Sequence, residues 1–245
     1  MTDAMKEQVL DAALSHVPFD GWSDRTLRAA LDDAGVAPGL GRALFPRGGV
    51  DLALAYHARG DAAMLARLTE MDLGSLRFRD RIAAAVRARL DAADPELVRR
   101  GTTLFALPMH AADGAKAIWG TADRIWTALG DTSQDLNWYT KRATLSAVYG
   151  STVLYWLGDT SPDHQDSWEF LDRRIDGVMQ VEKLKSGLRD NPLGKMVMAG
   201  PGRILDRIRA PRLPDNLPGR PLDNRIHDHH APGDTIQQNA RRGNL

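Results

Sequence analysis

Apolar residues recur along the chain at three- and four-residue spacing, as in Ile82, Val86 and Leu90 and again in Trp168, Leu171, Ile175 and Val178. That is the period of one helix face, and the alternation of β-branched residues that marks a strand is scarce. The pattern predicts an all-α chain. Breaks fall at Pro18 and Gly21, Gly35 to Pro38, Pro46 to Gly49, Gly74, Asp94-Pro95, Pro108, Gly130 to Thr132, Gly158 to Pro162 and Asn191-Pro192, which divide it into about ten helices. Ser161-Pro162 reads as a helix start, because the hydroxyl can accept an orphan amide and proline lacks only a donor that the first turn leaves unpaired. That helix is expected to reach about Ser186.

Four segments follow: 1–60, a degenerate helix-turn-helix; 61–186, a helical bundle; 187–210, an amphipathic basic helix; and 211–245, a proline-punctuated tail without periodicity. The tail is too poor in apolar residues to offset its ordering entropy and reads as disordered. In the first segment Leu27, Ala30, Leu31, Val36, Leu40, Ala43 and Leu44 lie around Gly35 so that two short helices can pack across a tight turn. With Phe45-Pro46-Arg47-Gly48-Gly49 and the long helix after it, this outline resembles the N-terminal domain of TetR-type regulators. The resemblance implies a TetR-like helical bundle and, as one functional reading, a transcriptional regulator with an apolar effector.

Charge opposes that reading. DNA affinity comes largely from phosphate neutralisation by Lys and Arg, yet residues 1–60 hold six of these against eight Asp and Glu. The would-be recognition helix, Pro38 to Phe45, offers Arg42 alone and two glycines. No nucleic acid is expected as a partner, and the formal net charge of zero over 245 residues agrees. There is no cysteine, which excludes disulfides and thiolate chemistry. The polar, acidic first residues are unlike a signal or transit peptide, so the cytoplasm is expected. The longest uncharged run, Ala143 to Gly158, has 16 residues, short of the roughly 20 that a membrane-spanning helix needs.

That run belongs to a helix with Trp138, Arg142, Leu145, Tyr149, Thr152 and Trp156 on one face, while Gly150 and Ser151 leave room for another helix or a ligand. On the residues alone its aromatics fit two readings, filling a core or lining a cavity. Asp135 to Val181 reads DLNWYTKRATLSAVYGSTVLYWLGDTSPDHQDSWEFLDRRIDGVMQV. With Asn137-Trp138-Tyr139-Thr140, Arg142-Ala143, Tyr149 and Asp159-Thr160-Ser161-Pro162-Asp163, it resembles the ubiquinone (coenzyme Q) biosynthesis accessory family, the ninth of the Coq proteins. The resemblance implies a TetR-like fold, binding of an isoprenoid quinone precursor or phospholipid, and assistance to the di-iron demethoxyubiquinone hydroxylase. It assigns partner docking to Trp138, Tyr139 and Arg142. It makes Leu145, Val148, Tyr149, Thr152, Val153 and Trp156 the candidates for lipid contact.

Residues 183–212 carry eight Lys and Arg against two Asp. On a helix Leu193, Met196, Val197, Ile204, Leu205 and Ile208 gather on one side with Arg203 and Arg207 at the flanks, the pattern of a segment lying in a membrane interface. Gly200-Pro201-Gly202 would break it or kink it, leaving one helix or two.

A search for catalytic groups finds none of the familiar spacings. Glu7, Glu70, Glu96, Glu169 and Glu182 are followed three residues on by Leu10, Leu73, Arg99, Asp172 and Lys185, so no Glu-x-x-His di-iron pair exists. Phosphate loops and nucleophile elbows are also absent. His227-Asp228-His229-His230 could chelate a metal but falls in the tail, and Ser161, Asp163 and His164 sit at a helix start where capping accounts for the serine and aspartate. The expectation is therefore a homodimeric, non-catalytic accessory protein with no cofactor beyond its bound lipid, peripheral on the inner membrane of a bacterium.

Overall fold

A computed structural model describes residues 2–190, with side chains described through residue 178 and at residue 180. Among these residues there are ten α-helices and no strand. In chain order they are α1 (Thr2–Leu14), α2 (Val17–Asp20), α3 (Asp24–Asp33), α4 (Pro38–Leu44), α5 (Gly49–Glu70), α6 (Phe78–Asp91), α7 (Pro95–Phe105), α8 (Ala111–Ala128), α9 (Leu136–Trp156) and α10 (Gln165–Asp190). The proline and glycine breaks thus predicted the joints between helices. Several starts are capped as their sequences imply. Ser23 accepts from the Thr26 amide, Asp94 from those of Glu96 and Leu97, and Asp135 from that of Asn137.

The start of α10 departs from expectation. Pro162–His164 forms a single 3₁₀ turn, Asp163 and His164 take left-handed backbone angles, and the α-helix begins only at Gln165. Asp159 reaches across this turn to accept from both the amide and the hydroxyl of Ser167, while Ser161 Oγ accepts from the Asp166 amide. The helix also runs past Ser186 to Asp190.

The apolar stripes assemble into two cores. One joins α1, α2, α3, α4 and α7 to the first half of α5 through Leu10, Val17, Leu31, Phe45, Leu52 and Leu97. The other joins the second half of α5 to α6, α8, α9 and α10 through Met64, Val86, Ile125, Tyr149 and Leu171. Each fully buried aliphatic side chain contributes roughly 1.5–3 kcal/mol by leaving water. Helix α5 serves both cores, with Leu52 in the first and Met64 in the second.

The helix-turn-helix is present as α3 and α4. Gly35 has φ +64° at the turn, a conformation that L side chains rarely adopt, and the Val36 amide closes the turn on the Leu31 carbonyl. Helix α4 has only seven residues, and Leu40, Ala43 and its single basic residue Arg42 all face solvent. Leu40 and Ala43 were expected to pack. They point outward because so short a helix buries only the narrow face carrying Gly41 and Leu44.

No helix of the described residues is long and apolar enough to cross a membrane. The candidates Leu193 to Ile208, the tail 211–245 and the histidine cluster at 227–230 lie outside the described residues.

Leu171 is wholly enclosed in the second core whereas Leu40 is 43% exposed. Leu171→Ala is expected to lower unfolding free energy by about 2–5 kcal/mol and Leu40→Ala to change it by less than about 0.5 kcal/mol, as read by urea denaturation.

Candidate functional site

Helix α9 carries all nine of the residues expected for partner and lipid contact, and the structure sorts them into three settings. Its first turn is an aromatic corner. Trp138 and Tyr139 meet edge to face at 4.8 Å between centroids, and Trp119 of α8 lies 6.0 Å from Trp138. Both Trp138 and Tyr139 are partly exposed.

Arg142 is not part of the exposed patch: its side chain is 3% exposed. Its guanidinium lies 4.0 Å from the Trp138 ring centroid and donates to Asp123 at 2.5 Å, to Asp131 at 2.9 Å and to the Trp138 carbonyl at 3.2 Å. Asp131, itself 2% exposed, also accepts from Lys141 at 2.7 Å. Burial alone would raise the Asp131 pKa, but donors from Lys141, Ser133 and Arg142 more than offset it and hold the carboxyl well below the usual range. The arginine therefore holds the Trp138 ring in place from beneath.

Beyond this corner α9 separates two cavities. Leu145 and Val148 open on one of about 180 Å³, walled also by Phe78, Ile82, Trp126 and Ile175. Tyr149 and Val153 open on the other, of about 430 Å³, together with Trp22 of the loop between α2 and α3 and residues of α5, α6, α7 and α8 such as Leu97 and Ile118. Gly150 lines the larger one, so the room predicted beside it is real. Thr152 and Trp156 contribute to the core instead. Thr152 is fully buried and donates to the Val148 carbonyl at 2.8 Å, and Trp156 is 3% exposed with its ring 5.4 Å from that of His164.

One constellation was missed from sequence. Asp61 on α5, 1% exposed, accepts from Arg89 Nε of α6 and from Thr121 Oγ1 of α8, each at 2.8 Å. His57, one turn before Asp61, sets Nε2 2.8 Å from Thr121 Oγ1 and 3.1 Å from the Ala117 carbonyl, while Nδ1 faces Arg89 Nη2 at 3.4 Å. These partners suit a neutral ring with the proton on Nε2, donating toward Thr121 and Ala117 and accepting from Arg89. Burial pushes the His57 pKa down to about 4, with Asp61 offsetting only part of the effect. The signal was there in the pattern: His57 and Asp61 interrupt the stripe Ala53, Gly60, Met64, Leu68, and Arg89 interrupts Ile82, Val86, Leu90.

Residues 111–182, from α8 into α10, match the model of the COQ9 family. The chain is 33% identical over 190 residues to the mitochondrial ubiquinone biosynthesis protein COQ9 of Drosophila melanogaster, covering 75% of this chain and 58% of that one. The COQ9 of Homo sapiens is 28% identical over 188 residues, covering 73% and 59%. The chain thus spans about three-fifths of the length of these relatives. A TetR transcriptional regulator from Nitrosomonas europaea shares the fold, with TM-score 0.56 over 71% of this chain and 97% of its own at 18% identity.

These likenesses correct one expectation. The relatives are named as mitochondrial, against the expected cytoplasmic place on a bacterial inner membrane. The acidic N-terminal residues behind that expectation form α1, which packs through Val9, Leu10 and Ala13.

The lowered His57 pKa gives a pH test. Between about pH 6.5 and 4 the unfolded chain binds a proton at this position that the folded chain refuses, so stability falls as pH falls through that window, by about 3 kcal/mol at most. His57→Gln is expected to flatten this slope when urea midpoints are compared at pH 7 and 4.5. Over residues 111–182, helices α8 and α9 and the start of α10, the chain is similar to the COQ9 family, and its fold is TetR-like.

Proposed function

We propose that this chain is a non-catalytic accessory protein of ubiquinone biosynthesis. In this reading it shelters an isoprenoid quinone precursor between its helices and presents it to the di-iron demethoxyubiquinone hydroxylase. The observation that carries the lipid part is the cavity of about 430 Å³ bounded by α5, α6, α7, α8 and α9, within the size range of ligand sites and lined mainly by apolar groups. Each methylene that leaves water for such a space contributes about 0.8 kcal/mol, so a few isoprene units suffice for tight retention. The names of the curated relatives support the pathway.

The partner part rests on the Trp138–Tyr139 corner. Large rings with part of their surface in solvent, fixed by an arginine that cannot itself swing away, are the groups that dominate protein interfaces. A homodimer, and contact of residues 193–208 with a membrane surface, complete the proposal. The seven-residue α4, with Arg42 as its one base, gives DNA little to hold.

Extraction of the purified protein into organic solvent is expected to release an isoprenoid detectable by mass spectrometry, in amounts that drop severalfold for Val153→Trp, which fills the cavity. A lipid-free extract from well-folded protein would sink the carrier reading. Trp138→Ala is expected to weaken hydroxylase binding at least tenfold, or about 1.4 kcal/mol, with thermal stability little changed; undiminished binding in a pull-down titration would remove the corner from the interface.

A further inference from the structure

One wall of the larger cavity is polar. Tyr56, His57, Arg89 and Tyr149 line it, and Asp61 lies behind them with 1% of its side chain exposed. Arg89 is matched by Asp61 at 2.8 Å, and His57 has the contacts of a neutral ring. Arg124, 3.3 Å from the second Asp61 oxygen, is 47% exposed and largely solvated.

The wall therefore offers donors without offering net positive charge. The Tyr56 oxygen already accepts from the Asp94 amide at 2.9 Å, which leaves its own hydroxyl hydrogen to give. Arg89 can lie flat against α5 because residue 60 is glycine, where a Cβ would come within 2.5 Å of Nη1. An entering carboxylate or phosphate would lose its hydration and meet a cation whose charge is already neutralised, whereas a neutral oxygen loses far less.

We propose that Tyr56, His57 and Arg89, with Asp61 behind them, form a head subsite for an uncharged, oxygen-bearing group, such as a quinone carbonyl, whose apolar tail fills the rest of the cavity. The subsite rejects carboxylate and phosphate heads through its neutrality. This inference rests on the lipid-binding reading of the same cavity, and it selects among lipids by head charge.

The test uses the full chain and three probes with tails of nine or ten carbons: decylbenzoquinone, decylbenzene and decanoate, titrated calorimetrically at pH 7.5. Decylbenzoquinone is expected to bind about three- to tenfold more tightly than decylbenzene, the worth of one or two hydrogen bonds, with decanoate weaker than the quinone. Asp61→Asn leaves Arg89 unmatched and is expected to reverse the order of quinone and decanoate. Tyr56→Phe, which keeps the ring, is expected to shrink the advantage of the quinone over decylbenzene while leaving decylbenzene affinity unchanged, and it decides the matter if Asp61→Asn does not fold. Equal binding of all three probes would overturn the head subsite and leave the lipid reading standing. Tightest binding of decanoate to the unaltered chain would overturn the preference for an uncharged head. Failure of every probe to bind would count against the lipid reading itself.

Discussion

A carboxylate cut off from water must find positive charge and hydrogen-bond donors where it stands, and Asp61 finds them on two other helices. Arg89 comes from α6 and Thr121 from α8, so one side chain of α5 fixes the mutual register of three helices. Removing one partner of a buried pair typically costs about 3–5 kcal/mol, because the other is left without compensation. The pair also sets what the neighbouring cavity can be. With its charges cancelled, that space stays hospitable to apolar matter and still keeps hydrogen-bond donors on one side.

A second buried network does similar work at the far end of α9. Asp131 gathers Lys141 and Arg142, and Arg142 in turn lies against the Trp138 ring. A surface aromatic held this way loses little rotamer freedom when it meets a partner, which lowers the cost of association. An alanine scan would score Arg142 as a contact residue, although what its loss disturbs is the posture of the tryptophan above it.

Much of this was legible before any coordinates. The three- and four-residue apolar spacing predicted ten helices, the Pro and Gly breaks located their joints, and Asn137-Trp138-Tyr139 together with Asp159 to Asp163 carried the family resemblance that residues 111–182 bear out. What stayed hidden depends on contacts distant in sequence. Leu145 and Tyr149 share a stripe on paper yet face different cavities, because α10 lies on one side of α9 and α7 on the other. Arg142 looked like a surface cation because Asp123 and Asp131, its counter-ions, come from the preceding helix and loop. The delayed start of α10 turned on Asp159, whose reach to Ser167 exists only once the intervening turn is folded.

The partition made by α9 has a consequence for traffic. Trp138 and Val153 are fifteen residues apart on one continuous helix, hence about 22 Å along its axis. Under the proposed function, cargo near Val153 would be four turns away from an enzyme seated at the aromatic corner, while the smaller hollow beside Asn137 and Lys141 runs almost to that corner. A handover would thus be a relay around a rigid rod, its pace governed by how readily α7 or α10 yields passage.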